Sequence, residues 1–184
     1  MKKRWAAQAS INIADDEVLK AAADAGCQGF FIGMESINEK NLQQMNKTFN
    51  LRVGVKNYRG VVKKIHNYGI LVNGAFVFGN DFDTKSVFRE TVNFVYKAEI
   101  DITQYSVLIP LPGTRLYKRL ESEGRLLHRN YPEDWNRIHE TPLFKPKNMT
   151  PGELWNGVLY AYEKTHSITG SFGRMLKSFK STKS

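Results

Sequence analysis

Small and polar residues follow directly on four apolar runs of this chain. Gln8 and Ser10 close the run that begins at Trp5. Glu35 and Ser36 follow Phe30-Phe31-Ile32-Gly33-Met34. Gly79, Asn80 and Asp81 follow the run from Ile70 to Phe78. Pro110, Leu111, Pro112, Gly113 and Thr114 follow the run from Thr103 to Ile109. If the runs are parallel strands, these residues share one sheet edge, where ligands of parallel α/β folds bind. Such an edge is a shallow polar rim rich in acceptors, suited to a ribose or an amino-acid ligand. Turns and helix caps call for the same residue types, so Asn80, Asp81 and Thr114 carry either reading. Glu35 is more pointed, because a carboxylate directly after a buried strand is costly unless it is paired.

Metal and thiol chemistry find little support. Cys27 is the sole cysteine among 184 residues, which excludes an internal disulfide and a thiolate cluster built from this chain alone. It sits beside Gly26 at a helix-to-strand turn, as a small buried apolar residue would. His128, His139 and His166 show no metal-ligand spacing with one another. His66 reads as a helix surface or core residue, and Tyr105 and Trp135 as core aromatics.

The elements that would position the rim alternate. Asp15 or Asp16 can cap a helix running to Ala25, with Gly26 as its stop. Residues 38–47 make a short helix. Val55, Tyr58, Val61, Val62, Ile65 and Tyr68 form a helical stripe ended by Gly69. Thr84 is placed to cap a helix over 85–98, and Thr114 one that reaches about Glu123. Continuous apolar strands are expected to be buried on both faces, the mark of a parallel sheet. Residues 125–148 read as irregular. Thr150-Pro151-Gly152-Glu153 is a capping box with proline at the first helical position, opening a helix through about Thr165.

The composition, 41% hydrophobic and 24% charged, is that of a folded globular chain, not a disordered or fibrous one. No apolar stretch is long enough for a transmembrane helix. Met1-Lys2-Lys3-Arg4-Trp5 lacks the apolar run of a secretory signal, so the expected location is cytoplasmic. The net charge of +9 lies at the termini: Lys2, Lys3 and Arg4 at one end, and Lys164, Arg174, Lys177, Lys180 and Lys183 at the other, with no acid after Lys164. Such a tail can contact nucleic acid or an anionic surface, or only keep the chain solvated.

Trp5-Ala-Ala-Gln-Ala-Ser, Ala25-Gly26-Cys27, Phe31-Ile32-Gly33-Met34-Glu35-Ser36 and Met45-Asn46-Lys47 together resemble the radical S-adenosylmethionine superfamily, and within it the cobalamin-binding branch. The run from His66 to Asp83 fits that family's fifth strand. Ile109-Pro110-Leu111-Pro112-Gly113-Thr114 with Glu123-Gly124-Arg125 fits its sixth. The resemblance implies an α/β fold: a partial (β/α) TIM-like barrel of about four parallel strands with helices over 1–124. A small, mostly helical C-terminal extension over 125–165 and the basic tail 166–184 follow. It implies S-adenosylmethionine contacts at Glu35 and Ser36 (ribose hydroxyls), Lys47 (methionine carboxylate), Gly74 and Gly79 (close approach of adenine), and Leu108 to Leu111 (flanking adenine). Gln8, Ser10, Asn80 and Asp81 would line the substrate side. In the family a C-x-x-x-C-x-x-C loop holds a [4Fe–4S] cluster, and three sulfur ligands cannot come from one cysteine.

The expectation is therefore the C-terminal part of a radical S-adenosylmethionine enzyme, from a truncated or split gene and inactive alone. Cluster and cobalamin would come from an upstream segment or a partner chain. Two other readings stand beside it: a cluster-free nucleotide- or anion-binding module, and a basic-tail binder of nucleic acid or membrane surfaces. An unpaired first strand also predicts a homo-oligomer.

Overall fold

The computed structural model describes residues 3–127 and 141–166. Strands β1 (Trp5–Ala9), β2 (Cys27–Glu35), β3 (Leu71–Phe78) and β4 (Ile102–Val107) form one parallel sheet in the order β1-β2-β3-β4. The crossovers carry α1 (Asp16–Asp24), then α2 (Glu39–Gln44), α3 (Thr48–Val53) and α4 (Tyr58–His66), then α5 (Val87–Ala98). Helix α6 (Arg115–Ser122) follows β4, and α7 (Pro151–His166) is the last described helix. The α/β architecture expected from the alternation of apolar runs and helical stripes is the one present.

Local chemistry sets most boundaries. The Asp15 carboxylate accepts from the Glu17 and Val18 N–H groups and opens α1. Thr114 accepts from Tyr117 N–H and opens α6. In the capping box of α7, Glu153 N–H donates to the Thr150 hydroxyl, and Thr150 N–H donates to the Glu153 carboxylate. Two expectations are corrected. The helix expected over 38–47 stops at Gln44, because Asn46 adopts φ 55° and the chain restarts as α3. Thr84 does not cap α5, which begins at Val87; the Thr84 carbonyl accepts from Val87 N–H, and its hydroxyl pairs with that of Ser86.

Burial on both sheet faces is also corrected: among the described residues, helices cover one face only. On β3, Val72, Gly74, Phe76 and Phe78 are buried against the helices, with Val62, Ile65, Val95 and Ile100 in the same core. Each such aliphatic side chain contributes roughly 1.5–3 kcal/mol. The other face, the concave wall of a barrel, carries Gln8, Phe31, Leu71, Asn73 and Ile102 around a groove of about 430 Å³. There Leu71 is 39% and Ile102 49% exposed.

The last helix closes one side of the sheet. Tyr162 on α7 donates its hydroxyl to the Tyr105 carbonyl (2.7 Å) and accepts from Tyr105 N–H (3.0 Å), occupying the outer edge of β4. Gly157 allows this approach, since a Cβ there would stand 2.2 Å from the Phe88 ring. No described helix is long and apolar enough to cross a membrane. The basic tail after His166, and Trp135, His128 and His139, lie outside the described residues.

Candidate functional site

The end of β2 is the most distorted part of the sheet. Pairing with β3 shifts register between Gly33 and Glu35, and Glu35 adopts φ 65°, a left-handed conformation rare for a residue with a side chain. Such strain costs on the order of 1–3 kcal/mol and persists only where the surroundings impose it. Here they do. Asn50 Nδ2 donates to the Gly33 carbonyl (2.9 Å) and lies 2.9 Å from the Tyr58 hydroxyl. That hydroxyl donates to the Met34 carbonyl, and burial pushes its pKa up to about 12. Gly33 makes room for the carboxylate, because a Cβ there would meet Glu35 Oε1 at 2.6 Å.

The strain turns Glu35 toward Lys47, whose Nζ lies 2.6 Å from Oε1. Lys47 has two further N–H donors, and Glu35 Oε2 accepts no hydrogen bond among the described residues. The pair borders a small cavity of about 220 Å³ with Ser10, Asn46 and Thr48. A second cavity of about 390 Å³ lies beyond Asn46, between the end of α2 and the start of α6. Gln44, Met45, Leu108, Arg115, Leu116 and Arg119 line it. The two cavities form one polar rim over the C-terminal strand ends.

The structure brings Ser10, Glu35, Lys47 and Leu108 to this rim and takes other expected residues from it. Asp81 is no open acceptor: its side chain is 4% exposed and held by Arg119, Arg125 (2.9 Å) and Gln44 (2.8 Å), with Lys147 at 3.4 Å. Burial acts to raise its pKa, but the hydrogen bonds from Arg119, Gln44 and Arg125 outweigh that and hold the carboxyl well below the usual range. Asp81 thus fastens α6 and the chain after it to the strand ends.

Ser36 is buried and its hydroxyl accepts from Asn38 N–H, a turn role. Asn80 is 2% exposed and donates to the Val77 carbonyl, although it borders the second cavity. Gly74 faces the helices, where a Cβ would meet Ile100 at 3.1 Å. Gly79 has φ +97°, and a Cβ there would meet Leu154 and Phe144 at 2.9 Å. Both glycines are explained by packing. Gln8 lies in the groove on the concave wall, apart from the Glu35 cavity, and Leu111 is 43% exposed in the loop after β4.

Sequence reasoning missed Arg115, Arg119, Gln44 and Asn46. The two arginines stand four apart on a helix capped by Thr114, a spacing that puts both on one face. Nothing in the sequence tells which face turns to the rim. It missed Asp83 too, whose carboxylate accepts from Gly79 N–H, Asn80 N–H and Asn41 Nδ2; burial pushes its pKa up to about 6 against those donors.

The iron–sulfur cluster does not fit this chain's own residues. Cys27 is buried at the start of β2, the end of the strand opposite the rim, and burial pushes its thiol pKa up. No group of three or more His, Cys, Asp or Glu among the described residues could hold a metal ion. The described histidines stand elsewhere, with His66 buried against Asp101 at 2.8 Å and His166 at the end of α7.

No protein-family model matches the chain. Individual proteins do. The chain is 33% identical over 174 residues to the bacteriochlorophyllide d C-12(1)-methyltransferase of Chlorobaculum tepidum, covering 94% of this chain and 36% of that protein. It is 33% identical over 124 residues to the hopanoid C-2 methylase of Rhodopseudomonas palustris (67% and 23%). It is 26% identical over 151 residues to the anaerobic magnesium-protoporphyrin IX monomethyl ester cyclase of Cereibacter sphaeroides (82% and 23%).

Two solved structures share the fold. The archaeal Elp3 of Methanocaldococcus infernus superposes with a TM-score of 0.60 at 14% identity, over 87% of this chain and 32% of that one. The radical S-adenosylmethionine methyltransferase TsrM of Kitasatospora setae, solved with cobalamin and a [4Fe–4S] cluster bound, superposes with a TM-score of 0.57 at 19% identity (70% and 25%). Fold and rim together define an α/β protein built as part of a (β/α) barrel. The chain belongs to the radical S-adenosylmethionine superfamily, among relatives that are methyltransferases and cyclases. It spans about a third of the length of the first of these curated relatives.

Proposed function

We propose that this chain forms the cosubstrate-gripping wall of a radical S-adenosylmethionine methyltransferase. The observation that carries the reading is Glu35, strained to φ 65° at a strand end with one carboxylate oxygen on Lys47 and the other open. A carboxylate oxygen accepts from the hydroxyls of a vicinal diol, so Glu35 is suited to the ribose of S-adenosylmethionine. Lys47 keeps two N–H donors for the methionine carboxylate. Leu108 offers an apolar flank for adenine. When bound, a [4Fe–4S] cluster and cobalamin would supply radical and methyl-transfer chemistry. Their ligands would come from another segment or a partner chain, and alone this chain would bind without catalysing.

Calorimetric titration of the chain with S-adenosylhomocysteine tests this. Binding is expected, and Glu35→Gln should weaken it about tenfold, equivalent to ~1.4 kcal/mol. No heat at millimolar ligand, or equal affinity for the variant, overturns it.

A further inference from the structure

The second cavity at the rim has a distinct chemistry. No carboxylate lines it, and two arginines do. Arg119 is tied to Asp81, with Glu123 at 3.9 Å, and Gln44 also donates to Asp81. Arg115, one turn earlier on the same helix, is exposed and makes no hydrogen bond or ion pair among the described residues. Three cations, Arg119, Arg125 and Lys147, already surround Asp81, so that carboxylate cannot neutralise Arg115 as well. The rest of the lining is apolar at Met45, Leu108 and Leu116 and amide at Asn46 and Asn80. A volume of about 390 Å³ is that of a small-molecule site.

We propose that Arg115 anchors a carboxylate of a substrate that is otherwise largely apolar. The guanidinium fork matches a carboxylate bidentately, while Met45 and Leu116 take the hydrocarbon part. The placement of this subsite beside the cosubstrate rests on the reading of Glu35 and Lys47 given above; the cavity and its charge do not. Lys47 lines the other cavity, across Asn46, and already serves the cosubstrate's own carboxylate. The anion at Arg115 is therefore a second one, carried by the substrate.

The test uses decanoate and methyl decanoate, which differ in charge but share the apolar chain, titrated into the wild-type chain, Arg115→Gln and Arg115→Lys. S-adenosylhomocysteine is titrated in parallel. Decanoate should bind at least tenfold more tightly than its ester to the wild type. Arg115→Gln should erase that difference, Arg115→Lys should restore part of it, and affinity for S-adenosylhomocysteine should be unchanged. Far-ultraviolet circular dichroism of both variants should match the wild type, since Arg115 is exposed. Equal binding of acid and ester, or a preference that survives Arg115→Gln, overturns the proposal. A loss confined to S-adenosylhomocysteine also overturns it, assigning Arg115 to the cosubstrate instead. Failure of the wild type to bind S-adenosylhomocysteine sinks the cosubstrate reading alone, because the decanoate comparison reads the second cavity directly.

Discussion

Along β4, α7 lies over the outer strand and the Tyr162 hydroxyl satisfies both polar backbone groups of Tyr105. Along β1, on the far side of the sheet, no described strand pairs with the outer edge, and Trp5 is 37% exposed. The first edge is sealed by side chains from 57 residues later in sequence. The second is the kind of open strand that recruits another one. The rim chemistry lies between them, at the ends of β2 and β4, and is fastened on the sealed side by Asp81. The difference teaches that the two edges of one sheet are finished differently: a helix and a tyrosine close β4, while among the described residues nothing pairs with the outer edge of β1.

Removing the Asp81 carboxylate should cut deepest. Asp81→Ala leaves Arg125, whose side chain is 11% exposed, and the more exposed Arg119 without their anion. A fully buried pair broken this way costs about 3–5 kcal/mol; partial exposure of the cations lowers the expected loss to about 2–3 kcal/mol in chemical denaturation. The pH dependence has a defined sign. Asp81 titrates below its unfolded value, so its contribution is complete above about pH 4 and is lost as the pH falls further. Asp83, two residues on, works oppositely. Raised from 3.8 to about 6 by burial, it binds its proton more tightly when folded, so its contribution declines as the pH rises between those values. Asp83→Asn should flatten that decline while leaving the loss below pH 4 in place.

Gly157→Ala is expected to destabilise by about 1–3 kcal/mol, because the added methyl meets Phe88. Helix propensity alone predicts a gain of about 1 kcal/mol. Stabilisation on thermal melting would show that α7 is not tightly seated on α5. Tyr162→Phe removes only the hydroxyl at the β4 edge and should cost about 1 kcal/mol; no change would mean that water replaces it there. At the open edge, Ala6→Lys should alter stability by less than about 0.5 kcal/mol. It should still shift any self-association toward monomer in sedimentation velocity, as charge on an edge strand does. A wild-type chain that is monomeric at every concentration would remove β1 as an interaction edge.

Much of this was legible in the residues. The alternation of apolar runs and helical stripes and the caps at Asp15, Thr114 and Thr150 follow from local pattern, because each depends on neighbours within a few positions. The roles of Asp81, Ser36, Gly74 and Gly79 were not legible. A carboxylate or a glycine after a strand looks the same in sequence whether it faces a ligand or a neighbouring element.

The sequence by itself determined the parallel α/β order, the polar character of the strand ends and the impossibility of a three-thiolate site from one cysteine. Only the tertiary structure decided which of those polar groups stay open. Arg119, Arg125 and Lys147 come from 38 to 66 residues beyond Asp81 to neutralise it, while Glu35 keeps an oxygen and Arg115 its whole guanidinium for something else. Contacts of that separation depend on how helices pack against the sheet, and helix packing is set by shape over the whole core, not by any local run of residues.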